Sequence, residues 1–259
     1  MSLKRIVIVA AALLLTLPAT TLADGFDFGF TGGTVDVSGS TLTNASGLGV
    51  PSTLTDITRF IGTPPGSFTQ GSPSFTGANL GTVTFATGNF TGNCGASSTC
   101  YGAAGSFFTI VANTAFAPGI SAGDVLFSGS FVDVNTALFA GGPLPTGPFP
   151  AGTGAIFTYL GATFTCGNPP QTGTCFRVYG AISGTTNPAL IAALGLGSLT
   201  SVTGWVAQID FIFSDPTGNS LDVSMGDAQL LVVPEPGTLA LFGTGLIGLA
   251  GLLRRKLAA

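Results

Sequence analysis

Between Asp24 and Val233 the chain offers chemistry through ten Asp, two Arg (Arg59 and Arg177) and four Cys, with no His, Lys or Glu. General acid–base work therefore falls to Asp alone, and a hydroxyl nucleophile would have no imidazole or amine to activate it. This inventory predicts a body that is not an enzyme. Paired carboxylates remain the one route open to residues of this kind.

The nearest candidate for that route, Asp215-Pro216-Thr217-Gly218, has Pro216 inside what would be an Asp-Thr-Gly turn and has no second copy. It reads as a β-turn with Pro at its second position. No Gly-x-Ser-x-Gly elbow is present. Oxygen ligands for calcium are most concentrated at Asp215, Asn219 and Asp222, with Asp24 and Asp27 as a second grouping. Neither follows a calcium-loop spacing, so turn and capping roles are expected, with no metal and no cofactor.

The cysteines fall into two close pairs, Cys94 with Cys100 and Cys166 with Cys175. In an exported chain these read as local disulfides, each stabilising by roughly 2–3 kcal/mol in the chain-entropy model. A zinc site would need His or a C-x-x-C spacing, and the chain has neither.

Ten Asp against two Arg leave residues 24–233 with a net charge of −8. Two cations cannot neutralise a row of phosphates, so nucleic acid is not an expected partner. Polarity comes instead from Gly, Thr, Ser and Asn, a surface suited to polysaccharide. Trp205 and Tyr179 are the rings that would stack on a sugar if exposed.

These residues sit on segments of period two. Ile156, Thr158 and Leu160 alternate with Phe157, Tyr159 and Gly161, and the chain returns through Cys175–Ile182, predicting a hairpin pinned by Cys166–Cys175. Residues 80–90, 107–116, 124–139, 205–214 and 221–233 alternate similarly between turn residues. Pro188–Leu196 is the one helical segment, with Asn187 as N-cap and Gly197 just past its end. Gly62–Gly77 and Ala140–Gly154 are so rich in Gly and Pro that loops are expected. Strands without intervening helices predict an all-β, antiparallel β-sandwich or jelly-roll-like body.

Both termini read as address labels. Lys4-Arg5, the apolar stretch Ile6–Leu17 and Thr21-Leu22-Ala23 have the three regions of a secretory signal peptide, so residues 1–23 are expected to be removed. At the other end, residues 234–259 begin with Pro234-Glu235-Pro236, whose Glu is the only one in the chain. Two prolines one residue apart hold the backbone extended for a processing enzyme. An apolar run of about 17 residues, short but sufficient for a transient transmembrane helix, follows from Gly237 to Leu253. Arg254-Arg255-Lys256 would then stop transfer on the cytoplasmic side. Gly243-Thr244-Gly245-Leu246-Ile247-Gly248 satisfies a dinucleotide-binding pattern, but no βαβ unit surrounds it, and glycines in a membrane segment permit close helix approach.

The order of Pro-Glu-Pro motif, apolar span and basic end resembles the PEP-CTERM sorting signal. That resemblance implies recognition by an exosortase, a membrane cysteine protease, with Glu235 as the acidic recognition group. It further implies cleavage near Pro234–Pro236 and transfer of a structural or adhesive body to the cell surface or extracellular matrix, in association with exopolysaccharide and biofilm. Before cleavage the precursor would be anchored in the inner membrane with its body in the periplasm. The same tail also carries the label of an ice-binding protein C-terminal domain. Ice binding needs triplets in register, whereas Thr41-Leu42-Thr43, Thr53-Leu54-Thr55 and Thr82-Val83-Thr84 are unevenly spaced. A carbohydrate- or calcium-binding module is the alternative role for the body.

Overall fold

Each period-two segment contains a strand, although residues 87–89, 113–116 and 133–135 fall outside any strand, and pairing among the described residues is antiparallel throughout. The structure is a computed structural model that describes residues 23–231 apart from 64–66, 136–148, 162–164, 167–170, 173, 197–201 and 214–217. The strands are β1 (Ala23–Thr31), β2 (Thr34–Asp36), β3 (Ser52–Thr63), β4 (Ser67–Ala86), β5 (Phe90–Gly95), β6 (Ser98–Gly102) and β7 (Phe107–Ala112). They continue as β8 (Val125–Val132), β9 (Thr153–Gly161), β10 (Thr165–Cys166), β11 (Gln171–Thr172), β12 (Cys175–Thr186), β13 (Val202–Phe213) and β14 (Ser220–Leu231). Among the described residues one helix, α1 (Pro188–Ala193), precedes β13.

The expected all-β antiparallel body is present, but as one sheet rather than the two facing sheets of a sandwich or jelly roll. Hydrogen-bonded neighbours run β13-β14-β1-β3-β4-β7-β8-β12, and β12 pairs again with β13. The ring therefore closes in chain order, an up-and-down barrel. The reason lies in β12, whose twelve residues are long enough to hold three partners. Its first half pairs with β9 and its second half with β8 on one edge, while β13 runs along the other. Strands β9, β6 and β5 continue from β12 as a branch.

Phenylalanine fills the interior. Phe26, Phe28 and Phe30 of β1 meet Phe85, Phe108, Phe127 and Phe131 together with Leu54, Ile57, Val83, Ile110, Val178 and Ile182. A narrow eight-stranded interior accommodates such rings only where facing residues are small. Gly180 provides that space beneath Phe131, and Gly184 beneath Phe127, since a Cβ at either would crowd the ring.

Helix α1 begins as expected, with the Asn187 side chain accepting a hydrogen bond from the Ala189 amide at 2.9 Å and Pro188 in the first turn. It ends earlier than Leu196. Gly195, at φ 68°, takes the left-handed position, and the amides of Gly195 and Leu196 return to the carbonyls of Ala192 and Ile191. These two bonds form a Schellman motif that stops the helix two residues before the expected Gly197, which lies outside the described residues. Leu190, Ile191 and Leu194 join the barrel core, and Arg59 Nη1 donates to the Leu194 carbonyl at 3.3 Å.

Gly62–Gly77 is the clearest correction, because β3 and β4 run through it rather than a loop. Its breakers are absorbed by irregularities. Between the pairs Phe60↔Gln70 and Thr58↔Ser74, the residues Gly71, Ser72 and Pro73 have no opposite number. Gly77 to Leu80 bulge likewise between Asp56↔Thr76 and Leu54↔Gly81. Bulges are where a strand tolerates Pro and Gly. Most of the other expected loop lies outside the described residues, and its last two residues, Thr153 and Gly154, open β9. The signal peptide also lies outside them, except for Ala23, as does the expected transmembrane run 237–253. Among the described residues no helix is long and apolar enough to cross a membrane.

Candidate functional site

The expected sorting residues Pro234, Glu235 and Pro236 and the expected stop-transfer residues Arg254, Arg255 and Lys256 lie outside the described residues, as does Asp215. Asn219 and Asp222 are both exposed, and the Asn219 carbonyl accepts from the Val37 amide at 2.9 Å. Among the described residues no group of three His, Cys, Asp or Glu is arranged to hold a metal ion.

Cys94 and Cys100 form a disulfide across the β5–β6 hairpin with Cα atoms 5.7 Å apart. It ties down the last strand of the branch, which has no neighbour on its outer side among the described residues. Cys175 is also disulfide-bonded. The side chain of Cys166 lies outside the described residues, while its backbone pairs with Gln171 in the small β10–β11 sheet.

Of the two rings expected to meet sugar, Trp205 has a side chain outside the described residues, and Tyr179 is 9% exposed. Tyr179 is instead engaged by Arg177. The guanidinium carbon lies 5.7 Å from its ring centroid, and Nη1 donates to its hydroxyl at 3.1 Å. Two aromatics on this branch are exposed, Phe90 of β5 at 49% and Tyr159 of β9 at 43%. The Tyr159 ring lies 5.3 Å from Phe176, which stacks on Phe157 at 5.1 Å with an interplanar angle of 8°. Strand register explains the ladder, since Phe176 stands opposite Tyr159 while Phe157 and Tyr159 lie two apart on one strand face. Alternation of Phe157 and Tyr159 was visible in the sequence; which face stays open depends on the branch leaving the barrel at β12.

The Asp residues divide by position. Asp36 and Asp133 fasten loops: Asp36 accepts from the Ser38 hydroxyl at 2.6 Å and the Leu48 amide at 2.9 Å, and Asp133 from the amides of Gly152 and Asn135 at 2.6 and 2.9 Å. The Ser38 bond first, for Asp36, and the Gly152 bond first, for Asp133, hold these carboxyls below their ordinary pKa.

Asp27, Asp56 and Asp227 instead occupy three adjacent strands of the ring. Asp56 of β3 and Asp227 of β14 stand opposite the same residue, Gly29 of β1, and Asp27 is two residues from it on the same face. The Asp56 carboxyl leans over Gly29, where a Cβ would overlap it. Asp27 Oδ1 is buried and has no hydrogen-bond partner. Burial, then the charges of Asp227 and Asp56, push the Asp27 carboxyl well above the usual carboxylate range. Burial raises Asp56 as well. The signal that would have found this group is an Asp on the non-apolar face of each of three strands, but only the register brings them together.

Residues 232–256 match the family model of the PEP-CTERM protein-sorting motif. The match contains the Pro-Glu-Pro triplet, the apolar run and the basic cluster. The motif marks a protein sorted by an exosortase-type system, and hence an exported, membrane-transiting precursor. No curated protein and no solved structure matches the chain.

Proposed function

We propose that the protein is a non-catalytic component of the cell surface or extracellular matrix, with a structural or adhesive role in an exopolysaccharide-rich layer. The observation that carries this reading is the sorting motif at residues 232–256. Its basic end holds the precursor in the inner membrane with the barrel on the periplasmic side. Exosortase-type cleavage near Pro234–Pro236 then releases the body. Its composition supports the reading: a barrel without His, Lys or Glu, whose polarity is carried by hydroxyls and amides, is equipped for many weak contacts rather than for acid–base chemistry.

Intact mass of the protein from its native host, fractionated into membrane, periplasm and medium, tests this function. The expected product begins near Asp24, ends near Pro234–Pro236 and lies outside the membrane fraction. A product that keeps residues 254–259 and stays in the membrane would overturn it.

A second reading, a carbohydrate-binding module, is favoured by the exposed Tyr159 at the end of the Phe157–Phe176 ladder. Aromatic faces bind neutral sugar rings without requiring charge. On this reading Tyr159→Ala abolishes retention on a neutral polysaccharide column and a chelator has no effect; equal elution of the variant and the parent would sink it.

A further inference from the structure

The ring closes where its first strand, β1, meets its last, β14, and Asp27 lies in that seam. On the β14 side it stands opposite Gln229, with Asp227 diagonal to it; on the β3 side it stands opposite Thr58, with Asp56 diagonal. Farther out, β4 presents Ser74 and Thr76 opposite Thr58 and Asp56, and β13 presents Gln208 opposite Asp227. By strand alternation Asp24 belongs to the other face of β1. Arg59 stands opposite Phe26, also on that other face, and reaches the Leu194 carbonyl. The ionisable groups facing Asp27 from its two neighbouring strands are thus both carboxyls.

Asp27 is half-buried and the Phe28 amide favours its ionised form, but its Oδ1 has neither solvent nor donor and two further carboxyls flank it, so it is costlier to ionise than a carboxyl in water. A neutral acid in the same place carries no such cost. We propose that Asp27 is a protonation-dependent latch on the β14–β1–β3 seam, closed when the side chain is the neutral acid and loosened when it ionises.

The direction with pH follows from linkage. Burial and like charge raise the folded-state value, so above the unfolded carboxylate pKa the folded chain binds more protons than the unfolded one. The neutral form's stabilisation is complete below about pH 4 and is lost as pH rises toward and through the folded-state value. Across that interval one retained proton lowers the folding constant tenfold per pH unit. An exported barrel would then be tightest in an acidic surrounding and would open first at the strand pair that closes it.

The test is the folding constant of the full chain between about pH 4 and pH 8, by urea titration, for the parent and for Asp27→Asn, whose amide keeps the shape without titrating. The parent should lose stability relative to Asp27→Asn as pH rises, by as much as tenfold per unit. Parallel profiles would overturn the proposal. Carboxyl 13C shifts of the parent answer the same question even if Asp27→Asn does not fold. The resonance assigned to Asp27 should titrate above those of the ordinary Asp carboxyls; an Asp27 carboxyl that ionises together with them would remove the latch.

Discussion

The ring of Phe30 on β1 occupies the place where a side chain on Gly226 of β14 would stand, directly across the seam that closes the barrel. Phe28 and Phe26 follow on the same face opposite Ala228 and Leu230, so the residue facing β1 grows from Gly to Ala to Leu along the seam. The seam is therefore a graded fit between two strands at opposite ends of the chain. Phe30 is 2% exposed and packs against Phe108 at 6.3 Å between centroids, which leaves its ring little room to yield.

Gly226→Ala should accordingly destabilise the barrel by about 1–3 kcal/mol, the range for overpacking a filled core. Urea unfolding measures it directly as a lower midpoint with an unchanged slope. An unchanged midpoint would mean that Phe30 has another place to go.

Asn44 supports a second prediction, because its side chain substitutes for strand pairing. Fully buried, it donates from Nδ2 to the Val83 carbonyl at 2.9 Å and accepts at Oδ1 from the Phe85 amide at 2.7 Å. Asn44→Ala strands both backbone groups of β4 and should cost roughly 2–4 kcal/mol. Asn44→Asp retains the acceptor but turns the donor into a second acceptor facing a carbonyl, so it should be at least as damaging. Thermal unfolding of the two variants beside Ser52→Ala, which loses one long 3.4 Å contact to Asn44, separates this bond pair from general packing loss.

The acid limb of the stability curve should belong to different carboxyls from Asp27. Asp36 and Asp133 have lowered folded-state values, so their contribution is present above the unfolded carboxylate pKa and is lost as pH falls through the folded values. Both are solvent-facing, which keeps each contribution small. Replacing both by Asn should flatten the profile below about pH 4 and leave its slope above that pH unchanged. Melting temperatures across the range decide it; an unaltered acid limb would exclude these two loops as its source.

Strands and their hairpins were legible because a half-buried strand must alternate, as Ile156–Gly161 and Cys175–Ile182 do. The cap at Asn187 and Pro188 was legible for the same local reason. Closure was not, since the pairing of β12 with β13 and of β1 with β14 joins segments by edge hydrogen bonds that no periodicity encodes. Pro73 misled because a bulge and a loop use the same residues and differ only in whether a partner strand continues past them. The Asp27 group was hidden for a related reason: each Asp alone looks like a solvated strand residue, and burial of the Asp27 Oδ1 depends on its neighbours across the ring.

The last prediction concerns the tail. A protease that recognises an extended peptide needs a backbone held out of helix and a side chain to read. On the proposed reading Pro234 and Pro236 would serve the first need and Glu235, the only Glu in the chain, the second. The motif match spans all three. Glu235→Ala keeps both prolines, so it removes the charge without releasing the backbone. Expressed in the native host, it should accumulate as a membrane-retained form still carrying residues 254–259, whereas Glu235→Asp should be partly processed. Intact mass of the membrane fraction reads the outcome, and normal processing of Glu235→Ala would show that the enzyme selects the extended backbone and apolar span without the carboxylate.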